Sequence, residues 1–380
     1  MKEKGLYVHI PFCARKCNYC DFTSYVPIKN EIDFYLDSLE REMKMYNMKK
    51  EVIKTIFIGG GTPTILNLEQ LRRLFEIISS EVNLENVEEY TIEANPGTLD
   101  IEKLKVIKAA GVNRLSIGLQ AIQDRNLKFM GRIHNLKDFE ESYDNARKVG
   151  FDNINVDLIF AFYGQTLEDW KETLEYIVSK NPEHISAYSL IIEEGTDFYN
   201  RYEHGDITDF DENSFVKMYR YTVNYLAENR YKQYEISNFS KNSLECKHNI
   251  KYWLCEEYFG IGVSASGYLN GKRYTNVKTL EKYAELTNSN VFPKGFEEQL
   301  TYKDAFNEKI MLGLRMNRGI NYSLIDGIEN EILKKFIEKT IDKYEKKGYI
   351  EICKDDAKKV IKLTQSGREI SNIIILDLML

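Results

Sequence analysis

From Leu6 to about Ile191 the chain alternates short β-branched runs with helical patterns, a rhythm that narrows the possible folds more than any other feature. The runs Leu6–His9, Val52–Ile58, Tyr90–Ala94, Arg114–Leu119, Ile154–Phe160 and Ile185–Ile191 have the length and composition of buried parallel strands. Between them Ile32, Leu36, Leu39, Met43 and Tyr46 recur at spacings of three and four. So do Leu136, Phe139, Tyr143, Ala146 and Val149, and again Leu167, Trp170, Leu174 and Ile177. Each set forms one apolar stripe, as on a helix laid against a sheet. Ala110-Gly111 and Val149-Gly150 provide left-handed helix ends. Strand–helix units in series predict a parallel sheet with right-handed crossovers. Six units cannot close an eight-stranded barrel, so the expected fold is α/β, an open partial (β/α)6 barrel of TIM type. Its chemistry belongs at the C-terminal strand ends.

The motifs obey that rule. After the first strand come Cys13, Cys17 and Cys20, in a C-x-x-x-C-x-x-C spacing. Thiolate sulfur holds zinc or iron–sulfur clusters, and closed sites of either kind use four protein ligands. Three leave one corner open, where a small molecule can coordinate iron; the plain alternative is three buried cysteines without metal. After the second strand comes Gly59-Gly60-Gly61-Thr62-Pro63-Thr64, whose glycines let backbone N–H groups approach a ligand. The third strand ends in Glu93-Ala94-Asn95-Pro96-Gly97 and the fourth in Ser116-Ile117-Gly118-Leu119-Gln120. The fifth carries Asp157 between apolar neighbours, which requires a partner, with Arg132 as candidate. Any one of these polar groups could be a satisfied structural hydrogen bond. At successive strand tips they describe a lined pocket.

The cysteine loop, with its flanks Tyr-Val-His-Ile-Pro-Phe and Tyr-Cys-Asp-Phe, resembles that of the radical S-adenosylmethionine (SAM) superfamily. Within it, the flanks are similar to the group containing oxygen-independent coproporphyrinogen III oxidase and its haem-chaperone relatives. The resemblance implies a [4Fe–4S] cluster on Cys13, Cys17 and Cys20, with SAM chelating the fourth iron. It implies SAM contacts from Tyr7 and Tyr19 beside the cluster, from Gly60, Gly61 and Thr62 in the glycine motif, and from Glu93, Gln120, Arg132 and Asp157. Ile191 is an apolar candidate at the sixth strand end. One departure stands out: the family's Gly-Leu-Pro-Gly-Gln-Thr after the fifth strand is here Ala161-Phe162-Tyr163-Gly164-Gln165-Thr166.

Beyond Ile192 the pattern changes. An aromatic-rich helix is expected from about Asp211 to Asn229, then Tyr234–Phe239, then Cys246-Lys247-His248-Asn249-Ile250-Lys251-Tyr252-Trp253. Phe259–Gly267 reads as a tight Gly-rich pass close to the barrel. The His-Asn-x-x-Tyr-Trp string resembles the haem motif of the chaperone branch, implying haem at His248, Tyr252 and Trp253. A neutral imidazole can ligate haem iron and the two aromatics could wall a macrocycle, but the same residues also read as a packed core histidine. Cys246 and Cys255 flank the string as alternative axial thiolates, and His9 is a second imidazole with a local structural reading.

From about Asn307 a helix, the Lys/Glu-rich helix Ile328–Lys347, a hairpin turning at Lys354–Lys358 and a last helix resemble a winged-helix module. Its balanced charge favours packing or dimer contacts over DNA. The expected organisation is 1–200 for the barrel with its cluster loop, 201–300 for a barrel-capping and haem-motif region, and 301–380 for the winged-helix-like domain.

A net charge of −7 argues against a nucleic-acid surface. Six cysteines, three in one loop, are the usage of a reducing compartment. Neither a signal peptide nor an integral membrane segment is expected, and a cytoplasmic location is the expectation. Two functions follow from the resemblance. One is a haem chaperone that binds haem and passes it to an acceptor protein. The alternative is coproporphyrinogen III oxidation, in which SAM cleavage gives a 5′-deoxyadenosyl radical that takes hydrogen from each propionate. The oxidase branch carries a further cysteine two residues after the third, where this chain has Phe22, and a longer segment ahead of the cluster than the twelve residues before Cys13. Both favour the chaperone. SAM binding is expected under either function, together with an electron donor and a homodimer.

Overall fold

The computed structural model describes residues 2–355 and 358–380. Strands β1 (Glu3–Ile10), β2 (Val52–Gly60), β3 (Glu89–Ala94), β4 (Arg114–Gln120), β5 (Ile154–Phe160) and β6 (His184–Ser189) pair in parallel, in chain order. Helices α1 (Glu31–Tyr46), α2 (Leu68–Glu81), α3 (Ile101–Ala109), α4 (Asp124–Phe129), α5 (Leu136–Val149) and α6 (Leu167–Lys180) fill the crossovers. Capping boxes start α2 at Asn67/Gln70, α5 at Asn135/Asp138 and α6 at Thr166/Asp169, satisfying amides that have no partner inside the helix.

The strands are not apolar throughout. Leu6, Val8, Ile10, Ile56, Ile58, Ile92, Leu115, Ile117, Val156 and Leu158 enter the main core with the helices. The alternate positions Thr55, Thr91, Arg114, Ser116, Asn155, His184 and Ser186 are buried and polar. Because side chains alternate along a strand, these residues line the concave face. The barrel therefore has a greasy outside and a polar bore.

The barrel is open. A hairpin of β7 (Lys232–Glu235) and β8 (Asn238–Ser240) adds antiparallel to β6. On the other side β9 (Tyr258–Ile261) runs parallel to β1, followed by antiparallel β10 (Ser266–Leu269), β11 (Lys272–Asn276) and β12 (Lys294–Gln299). The sheet order runs from β12 at one edge to β7 at the other, and the two edges do not pair among the described residues. The Gly-rich pass is as tight as expected. A Cβ on Gly260 would sit 1.9 Å from the Ser266 carbonyl oxygen, and one on Gly262, at φ +108°, would sit 2.3 Å from the Tyr35 hydroxyl. Buried Glu42 of α1 ties this pass down, accepting from Gly262 N, Asn276 and Tyr283.

After β6 come α7 (Asp197–Glu203), α8 (Glu212–Glu228, the aromatic-rich helix), α9 (Lys247–Trp253, the His-Asn string) and α10 (Leu280–Asn288). The C-terminal region holds α11 (Tyr302–Gly313), β13 (Ile320–Asn321), α12 (Ser323–Asp326), α13 (Glu331–Lys346), β14 (Ile350–Asp355), β15 (Lys358–Leu363), α14 (Gln365–Glu369) and α15 (Ser371–Leu378). Its strands form a separate sheet in the order β13-β15-β14, in the manner of a winged helix. The Lys/Glu-rich helix starts at Glu331 rather than Ile328, because Asn330 caps it through Ile332 N and Leu333 N. Of the expected turn at Lys354–Lys358, Asp356 and Ala357 lie outside the described residues. No helix among the described residues is long and apolar enough to cross a membrane.

Candidate cofactor site at the barrel mouth

The cysteine loop leaves β1 and folds across the C-terminal strand ends. Backbone bonds set its course: Cys13 N donates to Tyr25 O, Asn18 N to Met130 O, and Cys20 N to Cys17 O. The glycine run of β2 passes directly beneath. A Cβ on Gly60, at φ +109°, would lie 2.4 Å from the His9 ring, and one on Gly61 would lie 2.6 Å from the Phe12 carbonyl oxygen. These glycines are therefore required by the close packing of the cysteine loop itself, in addition to any approach of a ligand. His9 joins the two layers: its Nδ1 is 2.8 Å from the Tyr7 hydroxyl and its Nε2 is 2.9 Å from the Thr23 carbonyl. Its structural reading is the one the structure supports.

A cavity of about 400 Å³ opens at this end. Cys13, Cys17, Cys20, Tyr19, Gly60, Gly61, Thr62, Glu93, Gln120, Arg132, Asp157 and Ile191 all line it. Of the expected SAM contacts, Tyr7 alone does not line it; Tyr7 lies deeper in the bore, bonded to His9. Ile191 does line it, although β6 ends at Ser189 and not at Ile191. Leu190 N still donates to the Phe160 carbonyl, after which the chain turns out and leaves Ile191 65% exposed.

The polar contacts correct one expectation. Asp157 does not pair with Arg132. It accepts from Ser116 Oγ at 2.9 Å and from Asn155 Nδ2 at 2.8 Å. Arg132 donates instead to Asn95 Oδ1 and the Gly118 carbonyl, each at 2.7 Å, and reaches the Cys17 sulfur at 3.5 Å. Asn95 completes the link by donating to Thr62 Oγ1 at 2.7 Å, and Thr62 Oγ1 is 3.5 Å from the Cys13 sulfur. Sequence reasoning passed over Asn95, which carries no charge and follows the strand; its place after Glu93 at a strand tip was the available signal. Gln120 sits at φ +71°, a left-handed conformation at the end of β4.

Of the carboxylates that line this cavity, Glu93 and Asp157 lie close enough to repel each other. Among the described residues Glu93 accepts from Gly60 N alone, at 3.0 Å. Burial first, and then the charge of Asp157, push its carboxyl up to about 8. A ligand bearing positive charge relieves this repulsion. Burial likewise pushes the Cys20 thiol up to about 11 and raises the Cys13 thiol. No three His, Cys, Asp or Glu side chains among the described residues are spaced for a single metal ion. Three thiols on one loop are a soft donor set that would fit an iron–sulfur cluster, and the Arg132 guanidinium, which reaches the Cys17 sulfur, would balance its negative charge.

The structure does not bring the haem trio to this mouth. Helix α9 lies under the opposite end of the bore. Glu89 accepts from the backbone N of Lys247 and His248, the first amides of that helix. His248 is fully buried: its Nδ1 is 2.8 Å from Thr55 Oγ1 and its Nε2 is 2.8 Å from the Tyr252 hydroxyl. Burial drives its imidazole down to about 3, so it is neutral, but both nitrogens are engaged. Tyr252 packs edge-on against Tyr258, and Trp253 faces the Arg315 guanidinium. Cys246 is buried against Glu89, and burial pushes its thiol up to about 12.

A parallel open barrel whose first strand delivers three cysteines to a glycine-floored, carboxylate-lined mouth defines a class, that of the radical SAM superfamily, whose profile matches residues 7–177. Over most of its length the chain is similar to two curated proteins named heme chaperone HemW. That of Bacillus subtilis is 40% identical over 347 residues, covering 88% of this chain and 92% of the relative. That of Lactococcus lactis is 41% identical, covering 87% and 85%. The fold matches that of coproporphyrinogen III oxidase HemN from Escherichia coli with a TM-score of 0.83 at 23% identity, covering 99% of this chain and 90% of the other. The chain belongs to the HemW family within the radical SAM superfamily.

Proposed function

We propose that this protein is a haem chaperone that binds haem and passes it to an acceptor protein, and that its barrel mouth holds a [4Fe–4S] cluster and SAM. The observation that carries the reading is the likeness to named haem chaperones over nearly the whole chain, in a protein whose three loop cysteines and expected SAM contacts, Tyr7 apart, line one cavity.

Cys13, Cys17 and Cys20 would hold the cluster. When bound, it supplies a single-electron donor with one iron free for a chelating ligand. Glu93 and Asp157 provide negative charge for the ammonium and sulfonium of SAM. The glycine run and Thr62 form the floor beneath the ligand. Gln120 and Asn95 offer amides to its polar edges, and Ile191 and Tyr19 give it apolar walls. Arg132 holds the Cys17 side of the loop against the strand tips and adds countercharge. Phe22, in place of a further cysteine, sets this chain apart from the oxidase pattern.

An electron donor, a cytoplasmic location, a homodimer and no nucleic-acid partner complete the reading, the last supported by the net charge of −7. The test is anaerobic. Reconstituted protein is incubated separately with haem and with coproporphyrinogen III under reducing conditions. Near-stoichiometric haem binding with the porphyrinogen unchanged is expected. Sustained conversion to protoporphyrinogen IX would overturn the chaperone reading in favour of the oxidase.

A further inference from the structure

At the floor of the barrel, the end away from the cofactor cavity, one row of residues crosses the sheet from strand to strand. Gly5 of β1 pairs with Tyr258 of β9, Tyr258 with Tyr268 of β10, and Tyr268 with Arg273 of β11. Residues opposite each other across a ladder share a face, so Tyr258, Tyr268 and Arg273 stand side by side. The row begins at the imidazole of α9, which lies where Gly5 has no side chain. A Cβ on Gly5 would sit 3.1 Å from His248 Cε1. Tyr252 stands next, edge-on to His248 at 5.0 Å and to Tyr258 at 4.5 Å. At the far end the Arg273 guanidinium lies 5.4 Å from the Tyr268 ring centre.

This row differs from packed core. Among the described residues Tyr252, Tyr258 and Tyr268 belong to none of the apolar cores. Tyr268 lines an open cavity of about 800 Å³, together with Cys255, just past the end of α9. The carboxylates of that cavity, Glu3, Glu256 and Glu257, are met by Lys54, Lys251 and Lys2 in turn. Both ends of the row hold groups that a ligand can take over. The imidazole is neutral, and when Thr55 Oγ1 accepts from its Nδ1, Nε2 is the nitrogen that a metal takes. The hydroxyl now on Nε2 belongs to Tyr252, whose ring can turn. Arg273 Nη2 donates to Glu308 Oε2 of α11 at 2.7 Å, a contact that another carboxylate can replace.

We propose that the α9 string and this row form one haem bed: the iron takes His248 Nε2 as Tyr252 turns aside, the macrocycle lies along Tyr258 and Tyr268, and a propionate takes Arg273 from Glu308. The inference rests on the haem-chaperone reading and extends it to Tyr268 and Arg273, which lie outside every motif of the sequence. Three inter-strand steps separate Gly5 from Arg273, about 14 Å. The Arg273 side chain reaches back over Tyr268 and shortens that span for a flat ligand with carboxylate arms.

Haem is titrated into the full-length reconstituted protein and followed by its Soret difference band, alongside iron protoporphyrin dimethyl ester, which lacks the carboxylates. Wild type is expected to prefer haem over the ester by about tenfold, and Arg273→Gln to bind both alike. Glu308→Gln, which frees the guanidinium, is expected to tighten haem about threefold and leave the ester unchanged. Tyr268→Ser is expected to weaken both about tenfold. Circular dichroism checks the folding of each variant, and the gain in Glu308→Gln is a result that misfolding cannot mimic. If wild type binds haem and all three variants match it with the preference intact, the row is not the bed, while the chaperone reading stands. If wild type binds no haem, both fall.

Discussion

Glu93 shows how much a single side chain owes to its surroundings. It lies on a strand tip, half-buried in the wall of the cofactor cavity and close to a second carboxylate, and its carboxyl is pushed up to about 8. A cationic ligand must displace the carboxyl proton. SAM affinity is therefore expected to rise with pH up to about 8, and Glu93→Gln to lose that slope along with roughly tenfold in affinity, measured by equilibrium dialysis. Glu42 carries the same physics into stability. Burial lifts its carboxyl from 4.5 to about 7, despite the donors from Tyr283, Gly262 and Asn276. Between those values the folded state binds more protons than the unfolded one, so this group's contribution to stability falls as pH rises through the window and is level above it. Urea unfolding of wild type against Glu42→Gln should show the difference shift by about 3 kcal/mol between pH 4.5 and 7, in favour of the variant at the higher pH. A flat difference would remove Glu42 from the account.

At the scale of elements, the glycine run and the cysteine loop behave as one unit. Nothing about Gly60 in isolation distinguishes a phosphate-style cradle from a packing contact. The structure decides it, because a methyl group there would run into the ring of His9 while the backbone sits at positive φ. Gly60→Ala is expected to cost about 3 kcal/mol and to leave the reconstituted protein with markedly less iron, read by thermal melts and by iron analysis. A second unit is α9. Its string of His248, Tyr252 and Trp253 reads in sequence as a ligand motif, yet Glu89 caps the helix against the barrel floor and Thr55 and Tyr252 occupy the imidazole. The sequence shows which residues are polar; it does not show that Thr55, from a strand far away in the chain, bonds one nitrogen of the imidazole while Tyr252 of the same helix bonds the other.

Among the described residues the molecule has two large apolar cores. One lies between the barrel strands and their helices, and the other joins Phe306, Ile310, Ile337, Ile341, Ile361 and Ile374 in the C-terminal region. We propose that residues 301–380 unfold as their own unit, while 201–300 shares its core with the barrel through Tyr219, Phe259 and Tyr283. The chain's two tryptophans can report on this: Trp170 is buried in the barrel core, and Trp253 faces Arg315 of the C-terminal region. In Trp170→Phe, denaturant is expected to change the remaining fluorescence in an early transition, ahead of the loss of far-ultraviolet dichroism from the barrel. Coincident transitions would mean a single cooperative unit.

What the sequence determined by itself was local. Spacing along the chain encodes helix faces, strand runs and the three-cysteine loop, because each depends on neighbours within a few residues, and the order of strand–helix units fixes a parallel sheet. Only the tertiary structure decided which polar groups meet. Asp157 found Ser116 and Asn155 rather than Arg132, and Arg132 turned to Asn95 and Cys17. Those choices depend on distances of a few ångströms between strands separated by tens of residues, and an alternating pattern fixes only which face of the sheet a side chain occupies.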